Sequence, residues 1–468
     1  MKRVDAVVIG GGILGCFAAR NLMRFQLSVL LLEEKEDFCT GITRANAAVV
    51  YAGYDNQPGS LKAEMTRRGN AGFEALCEEL EVPFVRCGSL MVSFGPAADQ
   101  VLQKKYQNGQ KNNVSGLQIL SGQEACELEP FLSGEVRSAL YAPSTGTVNS
   151  WQLGIAACEN AVYNGVEVQR NVAVKAIKKR KNEYIIETEQ ESIVCRAVLN
   201  CAGMFADKIQ EMLFPPSVRL YLDGADFLVM DQDADAPKHV IFHESEESGK
   251  GITAVPCVEG NLLLASSQRP LEGTFFSTSV RGMQILRETA VSVLPKLEIN
   301  RVIRSFGAVR PNPRRVVWQD GEYVPDGKSI GSFVIENPAP GFYSLLGIKT
   351  PGLTCAEELG RHLAQKTGDY LDALPNPAFD PKRKAIIRVR DLDFAGREQL
   401  IRENPDYAEI VCQCGEISKA EIMEAIRRGA VTADGVKRRV GTGMGVCQGS
   451  RCHRRIQELL EGAGCGTV

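Results

Sequence analysis

The chain opens on a nearly unbroken apolar run, VDAVVI at 4–9, followed at once by three glycines. Apolar side chains then recur at helical spacing over 13–25, and SVLLLE at 28–33 is a second apolar run. Strand, glycine turn, helix and buried strand in that order predict a βαβ unit and a parallel sheet. Further along, NEYIIETEQESIVCRAVLNCAG at 182–203 predicts a hairpin feeding another buried strand, and GNLLLASS at 260–267 a strand. CAEELGRHLAQ is helical in pattern, and the proline-rich LPNPAFDPK after it marks a linker. The tail beyond it is compact and carries a further predicted helix, ISKAEIMEAIRRG.

Length changes the picture first, because 468 residues suffice for two or three domains, each with its own core. A formal net charge of −3 gives no basic field, which argues against a nucleic-acid partner. Charged or polar residues interrupt every apolar stretch before it could cross a bilayer. The opening run flows into glycines rather than a cleavage site, so it reads as a strand and the expected location is the cytoplasm. Of 15 cysteines, most sit singly in apolar segments as small buried hydrophobes. Four near the C-terminus have a spacing of chemical interest.

Gly10, Gly12 and Gly15, with Ile13 and Leu14 between them, fit G-x-G-x-x-G between strand and helix, and Glu33 ends the next strand. Gly10 allows the tight turn, Gly12 lets the main chain approach a pyrophosphate, and Gly15 permits close helix packing. The helix N-terminus offers N–H groups to phosphate, and Glu33 offers a carboxylate to the ribose hydroxyls. This predicts a bound dinucleotide and leaves FAD and NAD both open.

The segments GITRANAAVVYAGYDNQPGSLKAEM (41–65), AVLNCAG (197–203), GKGITAVPCVEGNLLL (249–264), IRSFGAVRPN (303–312) and GIKTPGLT (347–354) follow in order. Together they resemble the FAD-dependent D-amino-acid-oxidase superfamily, in its branch of glycerol-3-phosphate and L-2-hydroxyglutarate dehydrogenases. The resemblance implies a Rossmann-like FAD-binding domain (1–85, 145–215 and 325–370) interleaved with an α+β substrate domain (86–144 and 216–324). It places Thr43, Arg44, Ala45 and Asn46 along the flavin and Ala202 and Gly203 at the nucleotide. Gly347, Thr350, Gly352, Leu353 and Thr354 would approach the isoalloxazine edge. Arg310 matches the arginine that holds an anionic substrate group, and Lys349 would add a second cation, which points to a phosphate or a dicarboxylate.

Departures cluster on the substrate side. Tyr51 stands where many relatives have a histidine, and DGADFLVMD at 223–231 puts Asp223 and Asp226 where a basic run is usual. RPNPRRVVWQDGEYVPDGKSIGSFVIE is longer than its counterpart. The implied chemistry is hydride transfer from a C–H bond to FAD, which for an alcohol needs a proton acceptor. Candidates are His243 and a tyrosinate-like Tyr51. The substrate readings are glycerol 3-phosphate, an L-2-hydroxy acid, or an amine or imino acid, and a non-catalytic electron-transfer subunit of a flavoprotein complex stands beside them.

Cys412 and Cys414 form a C-x-C pair, and Cys447 and Cys452 a C-x4-C pair beyond the predicted helix. Four thiolates suit either zinc or a [2Fe–2S] cluster, and spacing alone leaves both open. The surrounding VCQCGEISKAEIMEAIRRGAVTADGVKRRVGTGMGVCQGSRC is similar to the bacterioferritin-associated ferredoxin-like [2Fe–2S] domain. That resemblance implies a cluster domain over 409–468 after a linker at 371–408, with Lys437, Arg438 and Arg439 offsetting cluster charge. It also implies a redox partner protein, possible membrane contact only through that partner, and a dehydrogenase rather than an oxidase.

Overall fold

The computed structural model describes the chain apart from residues 233–234, 246–248, 266–268, 272–274, 328 and 466–468. It divides into two compact units, Met1–Pro381 and Lys382–Val468. No described helix is long and apolar enough to cross a membrane.

In the first unit, β1 (Lys2–Ile9), α1 (Ile13–Leu22) and β2 (Val29–Leu32) form the expected βαβ opening. β1 and β2 pair in parallel, and Ala6, Val7, Val8, Leu30 and Leu31 are fully buried, which is why the strands read as continuous apolar runs. α1 ends a turn earlier than its apolar pattern, because Met23, Arg24 and Phe25 turn back by bonds to residues three positions earlier. After α2 (Ser150–Tyr163) come β3 (Glu167–Gln169), β4 (Val174–Arg180), β5 (Glu183–Thr188) and β6 (Ser192–Asn200). The sheet order is β4-β5-β6-β1-β2-β3. β5 and β6 make the predicted hairpin, and β6 runs parallel to β1 at the centre.

A second, larger sheet centres on the long antiparallel pair β7 (Val218–Met230) and β9 (Val302–Gln319). It also takes in β8 (Val240–Ser245), the strand Leu262–Ala265, and three strands between Ser89 and Ala142. Within the predicted 260–267 strand, Ser266 and Ser267 lie outside the described residues, as does Lys328 in the long insertion. β10 (Phe342–Leu346) returns to the first sheet beside β6, and α3 (Ala356–Leu371) packs on α1.

The linker expected at 371–408 is corrected. Residues 375–381 are fastened to the first unit: Asn376 N donates to Arg24 O at 2.7 Å, and the Asp380 carbonyl accepts from Asn160 and Asn164. Arg20, fully buried, gathers this region. It donates to Asn160 Oδ1 (3.0 Å), Glu357 Oε2 (3.1 Å), Glu79 Oε2 (3.0 Å) and the Pro381 carbonyl (3.1 Å). Prolines mark where the chain cannot continue a helix, but here they lie along a bonded surface. The rest of the expected linker, from Lys382 onward, belongs to the second unit and contains a helix, Phe394–Glu403.

Burial works to raise the Glu357 carboxyl, but Arg20 and Arg361 outweigh it and hold the group below the usual carboxylate range. Its contribution to stability is therefore present above that range and lost as pH falls through the depressed value. Arg20→Met is expected to destabilise the first unit by about 2–4 kcal/mol at neutral pH, since it removes one of the cations that compensate the buried Glu357 carboxylate and leaves the Pro381 carbonyl without its donor. The gap to the parent protein should narrow towards pH 4, as Glu357 without its partner protonates more readily. Urea titration followed by tryptophan fluorescence checks this, because both tryptophans, Trp151 and Trp318, lie in the first unit.

Candidate active site

At the C-terminal edge of β1 the chain turns through Gly10 (φ +102°) into α1. A Cβ on Gly15 would stand 1.8 Å from the Gly10 carbonyl oxygen, so only glycine allows this approach. α1 begins at Gly12 without a side-chain cap, and Ile13 N–H is met by Thr43 Oγ1 at 3.1 Å. The Glu33 carboxylate accepts from Gly11 N (2.6 Å) and Lys35 N (2.9 Å), so it braces the glycine turn as well as facing the space above it. Burial raises its carboxyl above the usual value, partly offset by those two N–H groups.

From this turn a single cavity of about 670 Å³ extends through the first unit. Gly10, Gly12, Ile13, Leu14, Glu33, Thr43, Arg44, Ala45, Asn46, Ala202 and Gly203 line one part of it. Tyr51, His243, Arg310, Lys349, Thr350, Gly352 and Leu353 line it as well. Gly15, Gly347 and Thr354 are not among the lining residues. Gly347 (φ +67°) packs on Pro313, and Thr354 Oγ1 accepts from Tyr51 N at 3.0 Å, which makes it a support for Tyr51. α3 starts only at Ala356, so residues 350–355 form a turn ahead of it, with a cis peptide bond at Thr350–Pro351.

Tyr51 stacks against Phe242 with centroids 5.9 Å apart. Burial pushes its phenol up to about 12, against a partial opposing pull from Arg310, so the group stays protonated and the tyrosinate reading is corrected. His243 stands on β8, with Phe94 edge-on at 5.4 Å and its Nδ1 buried against Gly251. Arg310, on β9, has a buried Nε without a hydrogen-bond partner among the described residues. Lys349 Nζ donates to Asn312 Oδ1, and Asn312 Nδ2 donates to Asp223 Oδ2.

Asp226 does not face the cavity. It is fully buried, ion-paired to Arg269 at 2.9 Å, and accepts from Ser279 N and Oγ ahead of the helix Val280–Val293. Its pocket role is thereby corrected to a structural one. Sequence reasoning missed Asp55, which lines the cavity and pairs with Lys105 at 3.1 Å. Phe242 and Met91 were missed too; they are apolar residues in strands, which no motif separates from core.

In the second unit, Cys414 Sγ and Cys447 Sγ lie 3.6 Å apart. Burial together with the neighbouring Cys412 and Cys447 pushes the Cys452 thiol up to about 12, while N–H groups of Arg451 and Gly449 hold Cys447 below its usual value despite burial. Among the described residues no three His, Cys, Asp or Glu side chains converge on a single-ion position. The cysteines meet as two pairs, 414 with 447 and 412 with 452, a donor set that fits a two-iron cluster. Arg438 and Arg439 are buried, and Arg439 donates to the Gly435 carbonyl, so they serve the domain's interior as well as its charge.

The chain matches the FAD dependent oxidoreductase family, DAO, over residues 5–366 and the BFD-like [2Fe-2S] binding domain over 410–462. It belongs to that oxidoreductase family, and its cofactors are FAD and a [2Fe–2S] cluster. It is 35% identical over 470 residues to a glycerol 3-phosphate dehydrogenase of Caloramator mitchellensis, covering 97% of this chain and 93% of the relative. An L-2-hydroxyglutarate dehydrogenase of Arabidopsis thaliana is 26% identical over 413 residues, 78% of this chain and 83% of the relative. The fold matches an FAD-bound L-alpha-glycerophosphate oxidase of Mycoplasma pneumoniae with a TM-score of 0.73 at 23% identity, covering 82% and 99% of the two chains. The glycine approach and the start of α1, whose N-cap Gly12 has no side chain, fit a bound dinucleotide.

Cys414→Ser and Cys447→Ser are expected to abolish the visible absorbance and reduced-state EPR signal of the cluster while leaving flavin absorbance intact. Zinc found in the purified protein by metal analysis would overturn the cluster assignment.

Proposed function

We propose that the chain is a catalytic dehydrogenase subunit that oxidises glycerol 3-phosphate to the corresponding ketone and delivers the electrons, through its cluster, to a partner protein. The observation that carries this reading is the pair of cations, Arg310 and Lys349, lining one cavity. A planar guanidinium binds phosphate by two parallel hydrogen bonds, and an ammonium adds a point charge beside it. The likeness at 35% identity, which extends through the cluster domain, supports the phosphate substrate over a dicarboxylate.

When bound, FAD would supply a hydride acceptor and the cluster a one-electron carrier. Arg310 and Lys349 hold the anionic end, so the carbon bearing the hydroxyl is presented at a fixed distance from them. His243, which lines the cavity, takes the hydroxyl proton. Tyr51, neutral at physiological pH, orients the hydroxyl as a hydrogen-bond donor or acceptor. Thr354 fixes the Tyr51 main chain from behind. We place the protein in the cytoplasm, any membrane contact being made by the partner.

Adding glycerol 3-phosphate to anaerobically purified protein is expected to bleach the flavin band and then change the cluster absorbance. A response to L-2-hydroxyglutarate alone would replace the substrate, and no response to either would leave the electron-transfer reading. Arg310→Met should raise KM about 100-fold, as a charged partner of a buried anion is lost. His243→Ala should lower kcat about 100-fold or more, whereas Tyr51→Phe should cost about tenfold or less.

A further inference from the structure

Asp223 and Arg310 stand directly opposite one another on β7 and β9, and side chains so paired lie within about 5 Å at their Cβ atoms. Opposite charges in that position ordinarily join, and an Arg310 bound to Asp223 would have little left for a substrate anion. Yet no described residue pairs with the Arg310 guanidinium through its buried Nε, and the Asp223 carboxylate is taken up by Asn312 Nδ2 at 2.5 Å. Asn312 lies two residues beyond Arg310 on the same strand and so on the same face. It is 4% exposed, and its other amide atom, Oδ1, accepts from Lys349 Nζ.

The orientation of this amide follows from its neighbours. A carboxylate only accepts and an ammonium only donates, so Nδ2 must face Asp223 and Oδ1 must face Lys349. The Asp223 carboxylate, though opposite Arg310 on the neighbouring strand, therefore does not cancel the site's charge. We propose that Asn312 is a positioning residue for the anion subsite: it draws Asp223 away from Arg310 and orients the Lys349 ammonium at the cavity wall, leaving the Arg310 guanidinium to a phosphate-bearing substrate. This rests on the reading that Arg310 and Lys349 bind the anionic end of the substrate.

The test uses the full holoenzyme, with flavin absorbance confirming that each variant is loaded. Asn312→Ala should raise KM for glycerol 3-phosphate, and the inhibition constant of inorganic phosphate, by about tenfold with a smaller change in kcat. If that variant fails to hold flavin, Asn312→Ser reads the same quantities. The double variant Asp223→Ala with Asn312→Ala should bind phosphate more tightly than Asn312→Ala, because the carboxylate that captures Arg310 is gone. A residue that merely fills space would give the opposite, a second truncation adding to the first. The proposal is overturned if Asn312→Ala leaves both constants within about twofold of the parent, or if the double variant binds more weakly than the single. Should Lys349→Met and Arg310→Met themselves leave both constants unchanged, it is the substrate-site reading that fails.

Discussion

The structure depends on how closely three stretches of main chain meet at the end of β1. Gly15 lies against the Gly10 carbonyl, and a Cβ on Gly10 would itself be 2.6 Å from the Cys201 carbonyl at the end of β6. This contact sets the angle at which α1 leaves the sheet, and so where its uncapped N–H groups point. It also brings the Ala202–Gly203 turn to the same edge. Everything that lines the cavity is arranged outward from that junction.

Charge is organised by distance from it. Near the glycine turn the groups are main-chain N–H donors braced by Glu33, suited to a phosphate diester whose charge is spread. At the far end are discrete cations, and the acidic residues beside them are committed elsewhere: Asp223 to Asn312, Asp226 to Arg269 and Ser279, Asp55 to Lys105. Tyr51 lies between, and burial keeps its phenol neutral.

The βαβ opening, the hairpin at 182–203 and the paired cysteines were legible because each depends on local pattern: period, glycine placement and spacing. The order of the segments made the family legible too. What was not legible came from contacts distant in sequence. Asp226 looks like a pocket residue until Arg269 and Ser279, more than forty positions on, are seen to enclose it. The proline-rich stretch looks like a free linker because nothing in LPNPAFDPK announces that Arg20 and Asn160 will bond to its carbonyls. Tyr51 as a tyrosinate failed for a similar reason, since the burial that keeps a phenol protonated is a property of the assembled cavity.

Arg20 gives this architecture a mechanical character. Its guanidinium joins the Pro381 carbonyl, where the first unit ends, to Glu357 in the opening turn of α3. α3 follows directly on the turn that carries Lys349 to Leu353 in the cavity wall. Tension on the chain beyond Pro381 would thus be borne by a buried ion pair rather than dissipated in slack, and the load would arrive a few residues from the Lys349–Leu353 turn in the cavity wall.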